Sequence, residues 1–317
     1  MRKRILTGFL LTLILLPIAV INNPIVFFLF QAIVIAFVVI ATYEMLTMFE
    51  KEKPIRLRTK IIILALTLIN YFNVGGLVGP LEPETFPGLI LLTINIHPII
   101  TIALTVIIIL LVFVLDDEFT INDVGKAFII INYVGLGASA ITMLRYLGVR
   151  FIFYVLLIST LTDMFAYFIG MIFGKRRLAP KISPKKSWEG AIGGAVIATL
   201  VASGFALFYG FIFTPEGFLG DILNPSGYLT IFDNFSSISN EPFALQAVII
   251  IPITLLGSIF SQMGDLIASK FKRNYEIKDF GKIFPGHGGV LDRFDSILFI
   301  GLLFLGIFIF INSVFPL

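Results

Sequence analysis

Apolar runs of about 20 residues recur along almost the whole chain, each as long as a helix needs to cross a hydrocarbon core roughly 30 Å thick. They lack strict alternation, so they read as helices and not as barrel strands. The runs are Ile5–Ile21, Pro24–Met48, Ile61–Val78, Pro98–Leu115, Ala127–Leu144, Phe151–Phe173, Ala191–Phe213, Leu245–Ile267 and Ile297–Phe315. The expected fold is therefore all-α, a polytopic helical membrane protein with about nine transmembrane helices. Composition agrees, because 58% hydrophobic residues, 14% charged residues and a mean hydropathy of +1.01 lie outside the range of soluble globular chains. A single integral membrane domain is expected over residues 1–317, with 1–126 carrying spans one to four and 127–317 carrying spans five to nine and the chemistry. Arg2, Lys3 and Arg4 before the first run resemble the start of a secretory signal, but no small-residue cleavage site follows, so the run is read as a span. The apolar segment Phe86–Ile96 is too short to cross alone and reads as an interfacial or re-entrant piece.

The distribution of charge supports nine spans. With the N-terminus in the cytoplasm and the C-terminus outside, the inner connections receive 21 of the 23 basic residues, leaving only Arg145 and Arg150 on the outer side. Lys and Arg accumulate in cytoplasmic loops, so this asymmetry orients the chain. The outer connections Gly79–His97 and Thr214–Phe243 hold Glu82, Glu84, Glu216, Asp221, Asp233 and Glu241 and no Lys or Arg. The absence of cysteine excludes disulfides, thiolate metal sites and a cysteine nucleophile.

Carboxylates collect at the inner ends of the later spans. Asp163 lies in the sixth, with Tyr167 one turn on, ahead of the basic loop Gly174–Glu189. Asp265 lies near the inner end of the eighth, with Ser261 and Ser269 on the same helical face. Asp292 and Asp295 share a face at the start of the ninth. A charge at a span centre costs about 2.5–3.5 kcal/mol on insertion scales, so these groups require cations. Lysine or arginine would make them structural ion pairs, whereas a divalent ion would use their oxygens as ligands, and an all-oxygen donor set suits magnesium. For Asp163 the structural and functional readings stand level. For Asp265, Asp292 and Asp295 together the metal reading is favoured.

The most polar stretch is Ser269 to Asp295, which combines Lys270, Lys272, Arg273, Lys278 and Lys282 with a Pro285-Gly286-His287-Gly288-Gly289 turn ahead of a helix start near Leu291. Glycine backbone N–H groups at a helix N-terminus can face an anion, and with the basic residues they make a polyphosphate cradle. The plainer readings are a turn and a topology signal. His287 has three readings: a general acid or base, a donor to phosphate, or a side chain that stabilises the turn. Trp188 reads as an interfacial anchor, His97 as structural, and the Gly170/Gly174 and Gly190/Gly194 pairs as close helix packing.

Ser269, Phe271-Lys272-Arg273, Lys278-Asp279, Gly281, Phe284-Pro285, His287-Gly288-Gly289 and Asp292-Arg293-Phe294-Asp295 together resemble the signature of the phosphatidate cytidylyltransferases, also called CDP-diacylglycerol synthases. Asp163 to Gly194 is similar to that family's second motif region, and with Gly264-Asp265 the resemblance covers the C-terminal half. It implies transfer of CMP from CTP to phosphatidic acid, giving CDP-diacylglycerol and pyrophosphate. It also implies a paired-metal site, magnesium with a second, monovalent cation such as K+, on Asp265, Asp292 and Asp295, and a homodimer. Lys278 and His287 then join the catalytic set. Lys175, Lys185, Lys186, Ser187, Glu189, Ser269, Lys272, Arg273 and Asp163 become substrate-binding residues. The expected partners are CTP, phosphatidic acid and membrane lipid, with no nucleic acid. The expected location is a bacterial cytoplasmic membrane, with the active site facing the cytoplasm.

Two rivals come from other classes. A cation-coupled transporter would use Asp163 and Asp265 as ion sites, but such sites sit near the midplane, and here the charges crowd one face. A CTP-dependent lipid kinase would transfer the γ-phosphate.

Overall fold

The computed structural model describes residues 13–73, 90–94, 96–217, 219–284 and 288–317. Helix α1 covers residues 13–20, and the expected first span lies otherwise outside the described residues. It is followed by α2 (Pro24–Phe49), α3 (Leu57–Phe72), α4 (Pro98–Leu115), α5 (Ile121–Leu147), α6 (Val149–Phe173), α7 (Trp188–Leu207), α8 (Phe243–Asn274) and α9 (Leu291–Val314). Among the described residues seven helices, α2 and α4 to α9, are long and apolar enough to cross a membrane. At 16 residues α3 is shorter than a crossing needs, and the rest of the expected third span lies outside the described residues.

Local chemistry sets several ends. The Asn23 side chain accepts the Ile25 N–H at 2.9 Å, and Pro24 opens α2 where its missing N–H costs nothing. Thr120 and Asp123 form a capping box at α5. Helix α5 carries a π-helical turn at Ile131–Leu136, eased by the Asn132 amide donating to the Phe128 carbonyl at 2.8 Å. Helix α8 overruns the expected span end at Ile267 and continues to Asn274, so Ser269 to Arg273 are helical and not loop. No breaker interrupts them, and Lys272 and Arg273 suit the negative end of the helix dipole. The loop Gly174–Glu189 also departs from pure helix. It holds a short antiparallel hairpin, β1 (Arg177–Ala179) with β2 (Ser183–Ser187), pairing Arg177 with Ser187 and Ala179 with Ser183.

Two apolar clusters form the core, and α9 belongs to both. Leu291 and Leu298 pack with Phe27, Val38, Met45 and Ile130, while Ile300, Phe304 and Phe308 pack with Phe151, Tyr154 and Ile158. Helix α7 lies hard against α6, where a Cβ at Gly194 would stand 2.7 Å from the Ala166 nitrogen, so these glycines serve packing. Hydroxyl pairs stitch α6 to α8: Tyr154 with Thr254 at 2.5 Å, Ser159 with Ser261 at 3.0 Å and Thr162 with Ser258 at 2.7 Å.

The polar connections gather at one end. Lys126 pairs with Glu52 at 2.6 Å, Arg56 with Asp116 at 2.8 Å, the Phe49 ring meets Tyr275, and Arg273 donates to the Ile182 carbonyl at 3.3 Å. The two exceptions to the basic asymmetry are both buried toward the other end. Arg145 donates to the Ile21 carbonyl at 2.8 Å and to Asn22 Oδ1 at 3.1 Å, and Arg150 donates to the Asp233 carbonyl at 2.5 Å. They are structural anchors. Of the expected re-entrant piece, 90–94 and 96 are described and non-helical, and buried Gln31 receives the Leu92 N–H at 2.7 Å and donates to the Ile90 carbonyl at 2.9 Å. Irregular backbone at membrane depth needs such partners.

Candidate active site

The middle of α6, the C-terminal part of α8 and the start of α9 enclose a cavity of about 440 Å³ lined by Asp163, Asp265, Lys272, Asp279, Asp292 and Asp295, with Ser159, Thr160, Arg293 and Ser296. The close approach of α8 to α9 creates it. A Cβ at Gly264 would stand 2.8 Å from Phe299 Cβ and 3.1 Å from Ser296 Cα, so the bare glycine lets Asp265 come up beside the start of α9.

Each carboxylate has its own partners. Asp265 Oδ2 pairs with Lys186 Nζ at 2.5 Å, both side chains partly exposed. Asp292 has a side chain only 2% exposed, and its Oδ1 pairs with Lys272 Nζ at 2.7 Å. Its Oδ2 accepts the Phe280 N–H at 2.7 Å and the Gly289 N–H at 2.9 Å. Asp295 is buried, with Oδ1 accepting the Ser296 N–H at 2.8 Å and Oδ2 lying 3.9 Å from Lys272 Nζ. Gly288, at φ +86°, takes a left-handed turn in which a Cβ would meet Asp292 Oδ2 at 2.8 Å, so glycine is required there twice over.

The donor set fits a hard divalent cation in kind, being carboxylate and hydroxyl oxygen throughout. Its spacing is that of ion pairs. Among the described residues no three His, Asp or Glu side chains converge to hold a metal, and the Lys186 and Lys272 ammonium groups stand between the carboxylates instead.

Other expected site residues surround this cavity in different roles. The Ser187 side chain caps α7 by accepting the Gly190 N–H at 3.2 Å. The Glu189 carboxylate accepts the Lys175 N–H at 3.1 Å and the Arg176 N–H at 3.2 Å, closing the hairpin. Arg273 donates to the carbonyls of Ile182 and Ile277, both at 3.3 Å, tying the hairpin to the end of α8. Lys175, Lys185 and Lys278 are exposed and, like half-buried Ser269, do not line the cavity. His287 lies outside the described residues.

The described part of the backbone cradle expected for a phosphate, Gly289 and the start of α9, is filled from within. The N–H groups of Phe280 and Gly289 point at Asp292, and those of Val290 and Leu291 at Glu44, each of the latter at 2.9 Å. Carboxylates of the chain satisfy the positive end of α9, so these amides are not open to a substrate anion. Glu44 was missed in the sequence. A lone carboxylate inside the apolar run Pro24–Met48 was the available signal. Tyr133, whose hydroxyl donates from the π turn to the Asp295 carbonyl at 2.9 Å, carried no comparable signal.

A second, apolar groove of about 420 Å³ adjoins the charged cavity. It runs past Leu15, Phe30, Val34, Phe37, Ile152 and Leu156, and it shares Thr160, Arg293 and Ile297 with the cavity.

Known proteins share this sequence over most of its length. The cytidylyltransferase family profile matches residues 2–311. A phosphatidate cytidylyltransferase of Bacillus subtilis (strain 168) is 32% identical over 310 residues, 95% of this chain and 94% of that protein. The phosphatidate cytidylyltransferase of Staphylococcus aureus (strain COL) is 32% identical over 247 residues, covering 75% of this chain and 80% of its own. That of Staphylococcus haemolyticus (strain JCSC1435) is 35% identical over 184 residues, 58% of each chain. With a family profile spanning nearly every residue and a relative aligned almost end to end, this integral membrane protein belongs to the cytidylyltransferase family.

Proposed function

We propose that the chain is a phosphatidate cytidylyltransferase that transfers CMP from CTP to phosphatidic acid, releasing pyrophosphate and leaving CDP-diacylglycerol in the membrane. The observation that carries this reading is the meeting of a carboxylate- and lysine-lined cavity with an apolar groove at Thr160, Arg293 and Ile297. A phospholipid has the same division, an anionic head joined to apolar chains.

The lipid phosphate is already anionic, so one of its oxygens attacks the CTP α-phosphorus without a protein nucleophile. The new P–O bond forms as the bond to the pyrophosphate bridging oxygen breaks, and the leaving group departs carrying the negative charge. Catalysis then rests on alignment and charge neutralisation. Lys186 and Lys272 stand among the carboxylates to balance that charge, with Arg293 at the lipid side. Exposed Lys175, Lys185 and Lys278 are assigned to the triphosphate, and Arg273 to holding the hairpin to the end of α8.

Magnesium is proposed for Asp265, Asp292 and Asp295, whose oxygens suit it in kind; binding it there would require the Lys186 and Lys272 ammonium groups to give way and the carboxylates to converge, with a monovalent cation such as K+ as a second guest of the same cavity. When bound, magnesium would supply Lewis-acid polarisation and charge neutralisation at phosphoryl oxygens. A homodimer is proposed from the family resemblance, and light scattering in mild detergent should return twice 35.2 kDa for the protein component. A monomer mass would remove it.

The cavity is proposed to face the cytoplasm, since the basic connections gather at its end of the bundle. One experiment tests reaction and orientation together. CTP labelled at the α-phosphate, supplied to inverted membrane vesicles with phosphatidic acid, should label the lipid, whereas right-side-out vesicles should stay unlabelled. Label entering lipid only from the γ-phosphate would make the protein a kinase, and labelling from the outer face would reverse the topology.

A further inference from the structure

Glu44 sits in the last third of α2, far in sequence from every motif of the site, and is 3% exposed. No Lys or Arg among the described residues pairs with it, and its described hydrogen-bond partners are the backbone amides of Val290 and Leu291. A charge buried without a counter-ion persists only where fixed dipoles compensate it. Here the compensation comes from the first amides of α9, the helix that carries Asp292 and Asp295.

We infer that Glu44 is a positioning residue for the reaction, holding the Val290 and Leu291 amides and thereby fixing where the Asp292 and Asp295 carboxylates stand in the cavity. Three observations converge on this. The two amides are bonded at equal lengths of 2.9 Å, one by each carboxylate oxygen, which defines an angle as well as a distance. Gly281 and Gly289 both pack on the Glu44 carboxylate so closely that a Cβ at either would collide with it, so Gly281 on one side and Gly289, Val290 and Leu291 on the other are packed around this one side chain. Asp292 does the complementary work from inside the segment, taking the amides of Phe280 and Gly289. Two carboxylates, one from each half of the chain, thus hold four amides, that of Phe280 and the consecutive three of Gly289, Val290 and Leu291. The N-terminal spans thereby reach the chemistry through α2.

The inference names a residue for the reaction proposed above, but its structural content stands without that reading, and the test separates the two. Glu44→Gln keeps the size of the side chain and replaces one acceptor by an N–H group facing an N–H group. In the full-length protein, kcat for CMP transfer should fall at least about tenfold while KM for CTP stays within about threefold. Amide hydrogen exchange across residues 288–292 should accelerate by about tenfold or more, with α6 and α7 unchanged. Gly281→Ala should reproduce both effects by displacing an intact carboxylate, and it decides the matter if Glu44→Gln fails to fold. Wild-type kcat, unchanged exchange at 288–292, or a defect confined to KM for CTP would each overturn the inference. If the wild-type protein itself transfers no CMP, the proposed reaction fails while the exchange measurement still reads the placement of the loop.

Discussion

Asp265→Asn should abolish magnesium-dependent CMP transfer, lowering turnover by about 10²–10³ or more, in a protein that melts like the wild type. The two halves of this expectation have separate causes. Asp265 has a side chain 30% exposed whose described ion-pair partner is Lys186, itself 25% exposed. Such a pair contributes about 0–1 kcal/mol to stability, because water and salt screen it. Its value to the reaction would be far larger, since the carboxylate faces the cavity beside Asp292 and Asp295 and is assigned to magnesium. Lipid labelling from α-labelled CTP against magnesium concentration, with a thermal unfolding curve, reads both quantities. Turnover within threefold of wild type would remove Asp265 from the metal site. Asp292→Asn is a different experiment. Asp292 also accepts two backbone amides and pairs with Lys272, so asparagine there should lower stability as well as activity.

The second large effect is structural. Lys272→Ala should destabilise the protein by about 3–5 kcal/mol, because it leaves buried carboxylates without their cation. The lysine side chain is 12% exposed, lies 2.7 Å from Asp292 and 3.9 Å from Asp295, and covers the Phe280 ring at 5.0 Å. Adding Asp295→Asn to Lys272→Ala should recover part of the lost stability by removing one of the orphaned charges. Unfolding midpoints of the single and double variants in one detergent make the comparison. An unchanged midpoint in Lys272→Ala would mean that the pairing contributes nothing in the folded protein.

Particular residues show how far the site was legible from sequence. Asp163 within the sixth span, Asp265, Asp292 and Asp295 near span ends and Lys272 just beyond the eighth were all identifiable as polar groups, and all line one cavity. Ser187 and Glu189 were equally conspicuous, yet they close the hairpin and cap α7. A polar side chain beside a motif looks the same in sequence whether it faces a ligand or a neighbouring amide. The Gly288-Gly289 turn illustrates the same limit. Amides here suited an anion, as expected, but that of Gly289 meets Asp292 and those of Val290 and Leu291, just beyond the turn, meet Glu44.

That this is a helical membrane protein, roughly where its helices run, and at which end its charge collects can all be read from the order of its residues. Those properties depend on the length of apolar runs and on local charge, and both are read along a single segment. Which partner each charge takes depends on how the helices pack. Glu44 meets Val290 and Leu291 across 246 and 247 positions of chain, and Tyr133 meets Asp295 across 162. Contacts of that range are set by how helices pack, here by the bare surface of Gly264 and the hydroxyl pairs between α6 and α8. No local pattern encodes them.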